Sequence, residues 1–447
     1  MSGILNLALA SFGGGSVPVG LLAAIRNPNG ESMYTPLIAI RNDQLNMAFR
    51  TYDGGGVGQL VVANLTLDLA FTWQTALSNS SDLPTAADIA IDSSGNIVAV
   101  GSIDITASGY LAPYIVKLNN SGVVQWQRRI ANNIQYRALA IDAADNIYTA
   151  GTAHLFASNK DDIYFVKYSS TGGISYQRNI GDTSSWNESG YGIAIPNATQ
   201  VAIVGSADTG NVDGTFWIFE QSNGATVTAT SERDSGGAGV QLGIDVISGE
   251  TADVLYYLVR SYATLSFASS CTQVILKWVA GSGFVWQRFF TDSSAPQGVT
   301  PNSMCLSPTN NAIYVCGQVN STVQLSKWGT DGTLLWQRGI TSPTALFSSA
   351  EISVDSLDNI YVTFISLYSG FSSRAMVLKV PGNGAGSGSS ATLDGATYNY
   401  VTTTGTASAN ALLTSTLSRA NTAQSQGVTS PSATSVAGTL AVAIGSI

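Results

Sequence analysis

Apolar residues in this chain come in short runs cut by turn-forming clusters. Between Ala87 and Ile130 the order is ADIAIDSSGNIVAVGS, a loop, and then YIVKLNNSGVVQWQRRI. The runs are rich in Ile, Val and aromatic residues, and the breaks between them are Asp-Ser-Ser-Gly-Asn and Asn-Asn-Ser-Gly. Runs of this length and composition predict strands, and Asp, Asn and Gly predict tight turns because they bond their own turn backbone or tolerate a left-handed one. The stretch therefore reads as one antiparallel sheet of four strands.

The same unit recurs along the chain. Its closing strand is marked by Trp73, Trp126, Tyr176, Trp286 and Trp336, with one doubled gap between Tyr176 and Trp286 that leaves room for a degenerate copy. Opening strands confirm the count: Ile38-Ala39-Ile40, Ile89-Ala90-Ile91, Leu139-Ala140-Ile141, Ile193-Ala194-Ile195, Ile244-Asp245-Val246, Met304-Cys305-Leu306 and Ile352-Ser353-Val354. A four-stranded sheet repeated about every 50 residues predicts a β-propeller, whose blades bury against one another what each sheet cannot bury alone. The expected fold is all-β: a seven-bladed β-propeller of four-stranded antiparallel blades over 27–381, with an N-terminal arm at 1–26 and a Ser/Thr/Ala/Gly-rich C-terminal arm at 382–447.

The Ile-Ala-Val-Asp-like strand, Ser-Gly-Asn turn, Val-Gly strand, Val-Lys-Leu strand, Asn/Ser-Gly turn and Trp strand resemble the bacterial β-propeller repeat often called SBBP. The resemblance runs from Pro36 to Val380 and is best around Asp92, Asp142 and Asp355. It implies the propeller fold. It also implies a non-catalytic module of a surface, secreted or phage-associated protein, although a fold is not a site.

Blade seven poses a problem of closure. Its third strand ends at Val380 and no Trp strand follows. A ring left with a three-stranded blade would expose an edge, so a distant segment must complete it. Thr397–Thr403 is the first candidate and the N-terminal ILNLALA the second.

Composition narrows the function. Charged residues make up 11% of the 447, against roughly a quarter in ordinary soluble domains, and the net charge is −9. Of the 19 Lys and Arg residues, Lys117, Lys167, Lys277, Lys327, Lys379, Arg128, Arg178, Arg288 and Arg338 recur at repeat positions, which argues against nucleic acid as a partner. No run is long enough to span a membrane, and the apolar N-terminus lacks the basic start of a secretory signal. Cys271, Cys305 and Cys316 have no metal spacing and read as buried thiols, with Cys305 facing Tyr314.

No catalytic motif, metal site or cofactor site is expected. The single histidine, His154, lies in a predicted loop, and the Asp-x-x-Gly-Asn turns read as turn chemistry rather than calcium ligation. Asp182 and Glu188, beside Trp186 and Tyr191, are the best candidates for the carboxylate pair of a glycosidase, and a pair within one loop reads as a solvated turn.

Loop lengths point to a binding face. The connections after first and third strands are short, whereas those after second strands and between blades are long and carry Tyr110, Phe156, Trp186, Tyr262, Phe267, Tyr368 and Phe371. Variable loops on a rigid frame suit recognition of a host-surface glycan or receptor. The apolar arms, with Ile4, Leu5, Leu7, Leu9 and Phe12 at one end and Leu440, Val442 and Ile444 at the other, are expected to reach other subunits of a homo- or hetero-oligomer. The leading expectation is a non-enzymatic structural or adhesion protein of a tailed-phage virion or similar surface assembly. Alternatives are a free, secreted or cell-surface carbohydrate-binding propeller and, third, a propeller glycoside hydrolase or lyase.

Overall fold

The computed structural model describes residues 6–12, 20–27, 32–52, 58–78, 83–104, 111–130, 133–155, 160–181, 187–208, 212–232, 240–262, 271–291, 298–368, 373–385, 387–393, 396–403, 406–408 and 441–445. Strands form seven antiparallel sheets and, among the described residues, no helix occurs. Blades one to six are 34–78, 83–129, 134–180, 188–232, 240–291 and 299–341, each with four consecutive strands. Their first strands touch one another in sequence, and blade seven touches blade one, so the sheets close into a ring.

Burial follows from this arrangement. A strand shows alternate side chains to opposite faces of its sheet, and here each face meets a neighbouring blade. Seven apolar layers result, one between every adjacent pair of blades. The second and third strands are accordingly apolar on both faces, as in Ile97–Val100 and Val274–Leu276, which are fully buried.

Blade seven is closed by a segment that sequence reasoning did not select. Ala345–Val354, Asn359–Tyr368 and Arg374–Pro381 are its first three strands, and the fourth is Gly20–Arg26 from the N-terminus, paired Leu21↔Lys379 to Ile25↔Ala375. Thr397–Thr403 instead contributes to Ala396–Thr402, which adds outside the fourth strand of blade six with Arg338 opposite Thr402. ILNLALA contributes to Asn6–Phe12, a fifth strand beyond Gly20–Arg26. A closing strand must be buried on both faces. Leu22 and Ala24 face blade six, Ala23 and Ile25 face blade one, and all four are fully buried. TYNYVT meets that need on one face only, because Tyr398 and Tyr400 are buried while Thr397, Asn399 and Val401 are partly open.

The described parts of both terminal segments pair with strands of the propeller of their own chain. Thr406–Ser408 pairs with Phe289–Thr291 of blade five, and Ala441–Gly445 pairs with Gln74–Ser78 of blade one. The N-terminal arm as drawn from sequence also shrinks, since Gly20–Arg26 belongs to the ring.

Adjacent blades are clasped by a repeated device. The indole Nε1 of Trp126 donates to Ser170 O at 3.2 Å, Lys117 Nζ donates to the same oxygen at 3.3 Å, and Arg128 Nε donates to Gly172 O at 3.1 Å. Blade five repeats this on Thr330 and Gly332 through Trp286, Lys277 and Arg288, and blade six on Gly382 and Gly384 through Trp336, Lys327 and Arg338. Blade three substitutes Tyr176 for Trp, with Lys167 bonding Gln221 O and Arg178 bonding Asn223 O. In blade one, Trp73 bonds Asn120 O at 2.9 Å and Thr75 takes the place of Arg on Gly122 O at 2.7 Å. Trp126, Trp286 and Trp336 thus pack against the next blade as expected, half-buried rather than enclosed.

The turn glycines show why this site is strict. Gly172 has φ +82°, and a Cβ there would lie 2.8 Å from the Trp126 ring. Blade four carries Thr228 and Thr230 at the clasp positions, and above Gly281 of the next blade, at φ +76°, there is open space.

Two predictions follow from these contacts. Deleting residues 1–27 should open blade seven and lose the burial of Leu22 and Ile25, worth about 1.5–3 kcal/mol for each side chain, so that cooperative melting is lost or the protein aggregates. Deleting residues 404–447 should leave the melting transition within a few degrees, and an unchanged melt for the N-terminal deletion would refute the closure. The second comparison is Gly172→Ala against Gly281→Ala. Both carry left-handed strain of about 1–2 kcal/mol, but only the first strikes a ring, so urea denaturation should show a clearly larger loss at Gly172.

Candidate functional site

The short-turn face is built from self-satisfied turns. Asp92 Oδ1 accepts from the Ser94 and Asn96 amides at 2.9 and 2.8 Å, and Oδ2 accepts from Asn96 Nδ2 at 2.8 Å. Asp142 and Asp355 repeat the pattern and add the hydroxyls of Tyr148 and Tyr361. Burial opposes ionisation of Asp92, yet Lys117, 2.7 Å away, and Asn96 outweigh it and hold the carboxyl below its ordinary range. These oxygens are already taken up by turn donors. Among the described residues no three His, Cys, Asp or Glu side chains gather as a metal site.

Of the aromatic residues expected on the long-loop face, Tyr110, Phe156, Trp186, Phe267 and Phe371 lie outside the described residues, and Tyr368 is placed only as the end of a strand. Tyr262 is a correction. It is buried against Val240 and Cys271 between strands of blade five, because it pairs directly with both across the sheet. Among the arm residues, Leu7, Leu9 and Phe12 lie on the fifth strand of blade seven, with Leu9 half-exposed, and Val442 and Ile444 lie on the strand added to blade one. Ile4, Leu5 and Leu440 fall outside the described residues.

His154 is likewise not in a loop. It sits near the end of the strand Ile147–Leu155, directly opposite Asp161, and its Nδ1 lies 2.7 Å from Asp161 Oδ1. The pair is a cross-strand contact of one hairpin. Glu188 is buried at the start of the first strand of blade four, not exposed in a loop, and Asp182 lies outside the described residues. Cys305 faces Tyr314 as expected, and all three thiols are free.

Three carboxyls on innermost strands escaped sequence reasoning. Asp88 of blade two accepts the amide of Leu139 of blade three at 2.7 Å, and Asp245 of blade five accepts that of Met304 of blade six at 2.9 Å. Glu351 of blade seven accepts that of Ile38 of blade one at 3.3 Å. Each carboxyl pins the first strand of the next blade by taking up an edge amide. Burial pushes Asp88 up to about 7, against the pull of its two backbone bonds and with help from the charge of Asp245. Burial likewise raises Asp245 to about 7, and burial with the charges of Asp88 and Asp245 drives Glu351 well above its ordinary range. The sequence signal was present as an acid just ahead of an apolar triplet. In blade five it was hidden because the apolar Ile244 sits at the bulge that blade two fills with Ala87, so that Val246-Ile247-Ser248, not Ile244-Asp245-Val246, is the counterpart of Ile89-Ala90-Ile91.

A second feature missed from sequence is a cation among aromatic rings on the long-loop face of blade one. Arg50 pairs in register with Tyr34 and shares a face with Tyr52, two residues on. Its Cζ lies 5.6 Å from the Tyr34 ring centroid and 5.1 Å from that of Tyr52. An arginine two residues before a tyrosine at the end of a buried strand is the available signal.

The axial acids generate a test. Their folded pKa values lie above the unfolded value near 3.8, so between about pH 4 and 7 the folded chain holds protons that the unfolded chain has lost, and stability falls as pH rises through that window. Asp162, raised to about 6 by burial and the charge of Asp161, adds in the same direction. Melting temperature should therefore decline from pH 5 to pH 8, and Asp88→Asn or Asp245→Asn should flatten the decline. A profile identical to that of the parent protein would refute the assignment.

No family model and no curated protein matches the chain. Among solved structures it is similar to the Dos1 propeller at 11% identity, covering 80% of this chain and 94% of that one, with a TM-score of 0.46. It is similar to the β-propeller domain of the Trilobed protease from Pyrococcus furiosus at 8% identity, covering 78% and 95%, with a TM-score of 0.45. A putative 6-phosphogluconolactonase from Bacteroides uniformis is similar at 10% identity, covering 74% and 94%, with a TM-score of 0.44. These are likenesses of blades and ring, and they carry nothing about activity.

Proposed function

We propose that the chain is a non-catalytic structural or adhesion protein of a tailed-phage virion or comparable surface assembly, with the propeller as its interaction scaffold and an SBBP-type repeat as its building unit. One observation carries the reading: the recurring Lys, Trp and Arg side chains donate to turn carbonyls of the next blade and so serve the frame itself. The low charge and the abundance of Gly fit a surface that meets other proteins or glycans rather than ions. Strands added outside blades one, five, six and seven stiffen the frame in the same sense. A free carbohydrate-binding propeller is the second reading, favoured by the half-exposed Tyr34 beside Arg50 on the long-loop face.

The test is compositional. Purified particles and surface fractions from the source that encodes the chain should contain it at a fixed stoichiometry by quantitative mass spectrometry. Recovery solely as a free monomer in the soluble fraction would overturn the assembly reading.

A further inference from the structure

The arginines of the repeat share one fate. Arg128, Arg288 and Arg338 each direct Nε to a glycine carbonyl of the next blade, and each stacks on its own tryptophan. Arg50 does neither. It lies on the second strand of blade one, where the chain turns into the long-loop face, and its one side-chain hydrogen bond among the described residues runs from Nη2 to the Tyr52 hydroxyl at 2.6 Å. Its Nε is buried and has no acceptor, and among the described residues no carboxylate forms an ion pair with it.

A guanidinium in that state is a binding element held ready. It is always charged, and its planar fork matches a carboxylate. The surrounding geometry is fixed from several sides. Tyr34 and Tyr52 meet edge to face, with centroids 6.1 Å apart and planes at 81°, and Arg50 lies near both rings. Asn27, itself buried, donates from Nδ2 to Thr51 Oγ1 at 2.8 Å and to the Tyr52 carbonyl at 2.5 Å, which holds the end of the strand. Tyr34 is 43% exposed although it begins a strand of a buried sheet. An exposed ring beside a cation without a counter-charge offers an apolar face and an anion site to one ligand.

We propose that Tyr34, Arg50 and Tyr52 form a binding site for a carboxylate-bearing sugar, a uronic-acid-type residue of a glycan. The C–H face of the sugar ring stacks on Tyr34, and its carboxylate takes the Nη protons of Arg50 not given to Tyr52, which holds the guanidinium in place. A monoanion suits the site better than a phosphate, because the chain as a whole carries a net charge of −9 and repels multiply charged ligands. The proposal goes beyond the assembly reading and stands whether or not the chain works in a particle.

Calorimetric titration of the full chain with methyl α-galacturonoside, a monoanion, and with its methyl ester provides the test. The two probes present the same sugar ring and differ in charge. The acid should bind at least about tenfold more tightly, since a charge-assisted bidentate contact is worth one or more decades of affinity. Added salt should weaken the acid and leave the ester unchanged. Arg50→Gln should bring the acid to the level of the ester, and Tyr34→Ala should weaken both. Equal binding of acid and ester by the parent protein, absence of binding to both at millimolar concentration, or full acid binding by Arg50→Gln would each overturn the site. Should Arg50→Gln fail to fold, the contrast between probes and the exposed Tyr34→Ala variant decide the matter.

Discussion

Blades three, six and seven end their third strands in turns whose carbonyls point toward the preceding blade, and the Lys, Trp and Arg of that blade meet them. This contact fixes how far each sheet is rotated and raised relative to its neighbour, and the apolar layers can interdigitate only at that setting. The donors are well matched to the task. A charged Lys and a charged Arg strengthen bonds to neutral carbonyls, and the indole has one donor that would be costly to bury unpaired. Lys277, Lys327 and Lys379 also lie within 5.5 Å of Tyr256, Tyr314 and Tyr361 ring centroids, so the cation is held from below as well as in front. Where the clasp is absent, between blades four and five, the aromatic cluster of Phe216, Tyr257, Trp278 and Phe284 holds the joint.

Closure places a different demand on the chain. The joint between blades seven and one has no Trp, since Leu21 stands opposite Lys379, and its polar contacts span the whole sequence. Ile40 N donates to Ser353 Oγ at 3.2 Å, Thr363 Oγ1 to Pro36 O at 2.6 Å, and Ser373 Oγ to Met33 O at 2.8 Å. Such contacts carry a large loop-closure entropy and form only when the ring is nearly complete. An N-terminal strand in the last blade ties the two ends of the propeller together, so neither end can fray without opening the sheet. The further strands outside blades one, five, six and seven cover edges that would otherwise invite pairing with another chain.

Charge is sparse in this protein, and its placement is correspondingly informative. Nine of the 19 Lys and Arg residues stand at the recurring repeat positions, the turn acids bond their own turns, and Asp88, Asp245 and Glu351 tie neighbouring blades around the axis. Against that background Arg50 is distinct because, among the described residues, it bonds no carbonyl of another blade and pairs with no carboxylate. A recognition role for the long-loop face is consistent with this residue, whereas Tyr262, chosen from sequence for the same role, belongs to the interior.

Local chemistry was legible in the sequence and long-range pairing was not. The four strands of each blade, the Asp-x-x-Gly-Asn turns, the Trp strand facing the next blade and the register of Cys305 against Tyr314 all depend on residues a few positions apart, so a single stretch contains its own explanation. In blade five the apolar Ile244 occupies the bulge that the other first strands share, so the triplet read from sequence starts two residues early. The closing strand could not be chosen in this way. Gly20–Arg26 is apolar from Leu21 to Ile25 and Ala396–Thr402 alternates tyrosine with polar residues, but which sheet edge each one covers is set by neighbours distant in the chain. Arg50 was equally opaque, because an arginine in a strand is read as framework or surface until the structure shows which acceptors lie within reach. Tertiary structure decided these points because closure and the pairing of a charge are properties of the assembled ring, not of any one stretch of chain.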